Sequence, residues 1–214
     1  MQIVRRALER DLDLIAICDH NSAENVQAVR RAAAGTCLGV IGGMEITTRE
    51  EIHMLGLFGR DRDLLSVQQL VHEKLPGENE PEFFGEQLVM NERDEVVGCQ
   101  TALLIGATEL GLEEAVACIH AQGGLAIAAH IDRPSFSLRS QIGFVPDDLD
   151  LDALEVWEPD AEDLPEDMAV LRSSDAHRLD EIGSRRTLLE MESATFEELG
   201  MALKGMHGRR VVSR

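Results

Sequence analysis

Short, wholly apolar runs separated by amphipathic helical stretches set the fold of this 214-residue chain more firmly than any other feature. Ile3, Val4, Ala7 and Leu8 mark one helical face over Gln2–Arg10, and Leu14 to Cys18 follows as a strand-sized run. Ser22 is placed to cap an Ala-rich helix over 23–34, with Gly35 just beyond its end. Leu38 to Met44 and Ile52 to Phe58 read as buried strands, and Asp61 to Lys74 as a helix stopped by Pro76-Gly77. The same rhythm continues through a helix at 109–121 and strands at 125–130, 153–157, 169–173 and 187–191. It ends in a helix over 196–204 that Ser193 or Thr195 can cap. Apolar runs alternating with helices predict an α/β fold whose parallel sheet is covered on both faces. About seven strands make a distorted barrel a natural closure.

Two stretches break the rhythm. Residues 76–98 carry seven acids against Arg93 alone, yet Phe83, Phe84, Leu88, Val89 and Met90 give the segment something to bury. It reads as an insertion or lid within a single domain spanning 1–214. Residues 147–167 hold eleven acids and no base, and read as a solvated acidic rim. The formal charge of −20 and the near-absence of aromatics disfavour long nucleic acids and acidic membranes as partners. No apolar run approaches a membrane span, and the N-terminus lacks the apolar core of a signal peptide. Cys18, Cys37, Cys99 and Cys118 form no C-x-x-C pair and read as reduced thiols, so a cytoplasmic setting is expected.

Residues able to hold metals fall at strand ends. His20 follows the strand ending at Cys18, Glu45 follows Met44, His130 follows Ala129, and Asp175 and His177 follow Ser173. His53 opens the next apolar run and can fold back toward the same rim. In a parallel α/β fold the C-terminal strand ends share one rim, where sites are built. Core filling explains one such residue more easily than six, because each buried polar group needs a partner. Imidazole and carboxylate without thiolate suit divalent Zn, Mn or Fe. His72, His120 and His207 read as surface or packing residues. Asp19 has two readings, orienting a ligand or capping backbone amides at the strand end. Arg133 also has two, a bidentate phosphate clamp or a surface ion pair, and Arg139 and Arg178 are weaker versions of it. Trp157 reads as barrel packing.

Four motifs in order, IAICDHN, GMEITTREEIH, IHAQGGLAIAAH and SSDAH, resemble those of the PHP (polymerase and histidinol phosphatase) domain family and span nearly the whole chain. The resemblance implies a distorted (β/α)7 barrel and a cluster of up to three ions that hydrolyses phosphoesters. It makes Glu45 similar to a carboxylate bridging two ions, with His53 and His130 completing one of them. His20 and His177 would serve a second ion, and Asp175 would share the remaining one with Glu45. The chain departs from the family in lacking the opening strand and its Asp-x-His-x-His, since Met1 falls inside the helix that follows that strand. One to two ions are therefore expected here.

These readings point to a metal-dependent phosphoesterase acting on small phosphorylated substrates or nucleotides. The alternatives are a catalytically impaired, metal-binding remnant serving as a binding or regulatory module, and hydrolysis of a C–N bond by the same metal chemistry. A helix over Gln2–Arg10 needs a sheet to cover, and an unpaired strand edge invites association. A version extended upstream by about 25 residues, a strand and its connection, is expected to be more stable and much more active than the 214-residue chain. Thermal unfolding and phosphatase assays on both versions check this, and equal activity would overturn the ligand scheme.

Overall fold

The computed structural model describes residues 1–158 and 160–213. The chain opens with α1 (Gln2–Glu9), β1 (Leu14–Ile17), α2 (Val26–Ala33), β2 (Gly39–Thr47), β3 (His53–Phe58) and α3 (Asp61–Glu73). A short α4 (Pro81–Phe84) and the hairpin β4 (Leu88–Met90) and β5 (Val96–Cys99) come next, then α5 (Leu112–Ala121) and β6 (Leu125–Ala128). The remainder is α6 (Leu138–Gln141), β7 (Ala153–Glu155), β8 (Val170–Leu171), β9 (Leu188–Glu190), α7 (Phe196–Leu203) and β10 (Arg210–Ser213).

Six strands form one curled half-barrel sheet in the order β1-β2-β3-β6-β7-β8. The all-parallel expectation fails at β3, which runs antiparallel to both β2 and β6. The reason is the length of the β2–β3 link. Five residues cannot carry a parallel crossover, so the strands close as a hairpin. The strand expected near 187–191 is β9, but it pairs antiparallel with β10 in a separate two-stranded sheet. Residues 76–98 contribute α4 and the β4–β5 hairpin.

Strand periodicity divides the side chains between two faces. Met44, Ile46, Met54, Phe58, Ala126, Ala128 and Leu154 face α2, α3 and α5 and are buried with Val26, Leu64, Val67, Val71 and Ile119. Ile41, Leu57, Leu125, Ile127 and Ala153 line the inner face, which Leu199 and Leu203 of α7 close at one end. Glu45 and His53 share the inner face's alternation, and so does Glu155. The inner face is tight beside them: a Cβ on Gly43 would lie 2.6 Å from Cys18 Sγ and 2.7 Å from Leu57 Cδ2.

Local capping differs in detail from the sequence reading. Asn25 and not Ser22 precedes α2, because residues 19–25 are drawn into a loop: the Asn25 amide donates to Asp19 Oδ2 at 2.9 Å, and its Oδ1 accepts from Met90 N at 2.9 Å. Gly35 takes a left-handed conformation, φ 84°, as a residue just past a helix end requires. Thr195 caps α7 by accepting from the backbone of Glu198.

Candidate metal centre

The centre is built outward from Glu45. Its carboxylate, 5 % exposed, sits where β2 enters the hairpin, and the β2–β3 register pairs Thr47 with His53. His53 therefore lies on Glu45's face as a diagonal cross-strand neighbour, and its Nδ1 is 2.8 Å from Glu45 Oε1. On the far side of β3, Ala129 N donates to His53 O at 3.1 Å, which carries the chain to His130. His130 Nε2 is 3.3 Å from Glu45 Oε1 and 3.3 Å from His53 Nδ1. The β1–β2 pairing extends past β1 as a parallel bridge between His20 and Glu45, and His20 Nδ1 lies 3.3 Å from Glu45 Oε2. The structure thus brings four of the six ligand candidates together, three imidazoles around the Glu45 carboxylate.

Asp175 and His177 stand apart from that set. Asp175 Oδ2 accepts from Arg133 Nη1 at 2.7 Å. His177 is exposed, with Nδ1 3.0 Å from the Asp175 carbonyl, although its ring lies 5.8 Å from that of His20. Of the two readings of Arg133, its present contact is the ion pair. Asp19 accepts from Asn25 and its backbone carbonyl from Glu45 N at 3.1 Å. Arg139 is engaged with the carbonyls of Glu162 and Asp163, and Arg178 is exposed. His72 bonds the Asn21 carbonyl from α3 and His120 bonds Asp152 from α5.

The donor chemistry fits a divalent ion. One donor atom each from His20, Glu45 and His53 lies within 4.8 Å of the others. His130 Nδ1 is buried without a hydrogen-bond partner, and the 3.3 Å approach of His20 Nδ1 to Glu45 lacks the geometry of a hydrogen bond, an arrangement that otherwise costs free energy. Burial by itself would raise the Glu45 carboxyl, but bonds from His130 and His53 and the charges of His53 and His20 hold it well below the usual range. His20 is pushed down by burial, against the pull of Glu45. The carboxylate therefore stays ionised and the imidazole free to donate its lone pair.

Three residues of the centre escaped the sequence reading. Glu155, inside the stretch read as a solvated rim, is 5 % exposed at the end of β7 and its Oε2 accepts from His130 N at 3.1 Å. That bond fixes His130 in a left-handed conformation, φ 28°, which is rare for a side chain of this size. An acid amid Ala153, Leu154 and Val156 was the available signal, because both faces of such a run are buried. Asn21, fully buried with φ 47°, donates to the Leu104 and Gly106 carbonyls and accepts from Thr47 N. Phe136 stacks on His53 at 4.9 Å, and nothing in the sequence marks it.

Burial, with Glu45, Asp175 and Asp132 nearby, drives the Glu155 carboxyl from 4.5 up to about 8, despite the bond from His130. The folded chain then holds a proton that the unfolded chain releases near its ordinary value, so stability falls as pH rises through that window. In chelator-treated protein, Glu155→Gln is expected to flatten the loss of stability between about pH 5 and 8. Urea unfolding across that range checks it, and parallel curves for the two proteins would refute it.

The segment 167–205 matches a family model described as PHP-associated. No curated protein matches the chain in sequence. The fold is similar to that of the lesion-specific endonuclease Q from Pyrococcus furiosus, with TM-score 0.69, 18% identity, and coverage of 98% of this chain and 52% of that one. An endonuclease Q complex with a 27-mer duplex bearing an abasic lesion at its active site gives TM-score 0.67 at 20% identity, again covering 98% of this chain and 52% of that one. A protein from Bifidobacterium adolescentis, assigned as a metal-dependent phosphoesterase, gives 0.55 at 20% identity over 92% of this chain and 87% of that one. The chain thus spans about half the length of the endonuclease Q structures it resembles. The duplex complex corrects the expectation that net charge and few aromatics disfavour long nucleic acids, since a protein that shares this fold over about half of its length binds one. Beyond about 8 Å mobile ions screen surface acids, so local cations set the field a phosphate meets. The C-terminal segment thus matches a PHP-associated model, and the fold is similar to those of the endonuclease Q and phosphoesterase structures.

Proposed function

We propose that this chain is a metal-dependent phosphoester hydrolase, with nucleotides and nucleic-acid strands both within its substrate range. One observation carries the reading: a buried carboxylate contacted by three imidazoles within 2.8–3.3 Å. His20, Glu45, His53 and His130 would hold the first ion of Zn, Mn or Fe type, and Asp175 with His177 would contribute to a second. When bound, such an ion supplies a Lewis acid that polarises a phosphoryl oxygen and neutralises developing charge.

The chain's own groups do the rest. Glu155 holds the His130 backbone in place, and Phe136 stacks on His53 and keeps its ring oriented. Arg133, now on Asp175, is placed to exchange that partner for a substrate phosphate. The 76–98 segment serves as a lid: Asn25 ties it to the loop that carries His20, and the Asn21 amide ties that loop to the segment's exit. The commitment of Asp175 to Arg133 favours a second reading, a metal-binding module without turnover.

Purified protein is expected to retain at least about one transition ion per chain after mild dialysis, and Glu45→Gln to weaken that binding more than about tenfold. Elemental analysis measures the first. Chelator-sensitive hydrolysis of bis(p-nitrophenyl) phosphate or an abasic duplex, restored by Mn or Zn, measures activity. Metal without turnover selects the module reading, and no metal at all sinks both. Arg133→Ala is expected to raise KM about tenfold with a smaller fall in kcat, as loss of ground-state phosphate binding requires. A fall confined to kcat would instead place Arg133 on the transition state.

A further inference from the structure

Beside the metal centre, three arginines converge on the chain's single tryptophan. The Arg185 guanidinium carbon lies 3.3 Å from the Trp157 ring centroid and that of Arg133 5.3 Å away. Arg172 Nη2 donates to the Trp157 carbonyl at 3.2 Å, while its Nε is buried with no partner at all. Arg185 Nη1 makes only a long contact, 3.5 Å, to the Ser174 carbonyl. Among the described residues, neither Arg172 nor Arg185 is paired with a carboxylate, in a chain with 40 acids against 20 bases. Packing alone does not account for this. A buried guanidinium donor left unsatisfied costs free energy, and a lone cation in so acidic a chain has many carboxylates available.

Two nearby acids are already engaged. Asp175 is bound by Arg133. Asp132 accepts from Trp157 N at 2.6 Å and Glu158 N at 2.8 Å, which fixes the turn that presents the indole. The indole face in turn orients the Arg185 fork, a cation–π contact that costs the guanidinium little of its hydrogen-bonding capacity. Planar, preset guanidinium forks with free donors match phosphate oxygens.

We propose that Trp157, Arg172 and Arg185 form a phosphate-binding subsite of this chain, separate from the metal ligands. It rests on the phosphoester reading only for the source of the phosphate, since the geometry itself selects a small tetrahedral oxyanion. The loops after β6, β7 and β8 each contribute a part, so the subsite and the metal centre share one rim.

Because Trp157 is the only tryptophan, its emission reports occupancy directly. The chelator-treated 214-residue chain titrated with inorganic phosphate, at ionic strength matched with chloride, is expected to show a saturable change in that emission. Arg185→Gln and Arg172→Gln should each weaken the apparent Kd by about tenfold or more, the scale of a charged hydrogen bond. Arg185→Lys, which keeps the charge but not the stacked fork, should recover only part of the loss and serves if the Gln variant does not fold. No saturable response in the unaltered chain, or one left intact by both Gln variants, would overturn the subsite. The titration needs no metal or turnover, so failure of the hydrolase assays leaves it standing, and its failure leaves the hydrolase reading standing.

Discussion

Burying the Glu45 carboxylate is the constraint on which the arrangement of the inner face depends. An ionised carboxylate taken out of water costs several kcal/mol unless partners surround it, and none are available on its own strand. The partners arrive from three others: His53 across the hairpin, His130 after β6, His20 after β1. Each approach needs a particular connection. The hairpin is short, the turn after β6 is held in a left-handed conformation by Glu155, and the loop after β1 is pinned through Asn21. The same carboxylate that gathers the imidazoles sets a negative charge among them, so the fold and the proposed ion site draw on one interaction.

Two buried carboxylates of the inner face behave in opposite ways, and the contrast follows from their surroundings. Glu45 meets imidazole N–H groups and stays ionised, whereas Glu155 meets one backbone N–H and other acids and holds its proton to about pH 8. Glu155 is thus a structural acid behind the centre, and Glu45 is the charge within it. A similar division holds for the arginines. Arg133 neutralises Asp175, while among the described residues Arg172 and Arg185 pair with no carboxylate beside Trp157. A net charge of −20 therefore coexists with three arginines gathered around Trp157, a local arrangement that composition does not reveal.

The placement of most helices and strands was legible because apolar runs and helical faces follow directly from burial, and β1, β2, β3, β6 and β7 fall within a few residues of their expected positions. Glu45 and the three histidines around it were legible too, as polar side chains where buried strands end. The direction of β3 was not, since an apolar run reads the same either way and only its short link forces the hairpin. Glu155 was lost in a block of acids, because charge runs are usually solvated and the exception lies in one strand's burial.

By itself, then, the sequence determined an α/β sheet with imidazole and carboxylate at its strand ends, because periodicity and residue chemistry are local properties. Tertiary structure alone decided which of those groups meet. It set Asp175 on Arg133 and left His177 exposed, and it stacked Phe136 on His53 and Arg185 on Trp157. Those contacts join residues 28 to 83 positions apart, and their distances depend on strand register and loop geometry that no local pattern encodes.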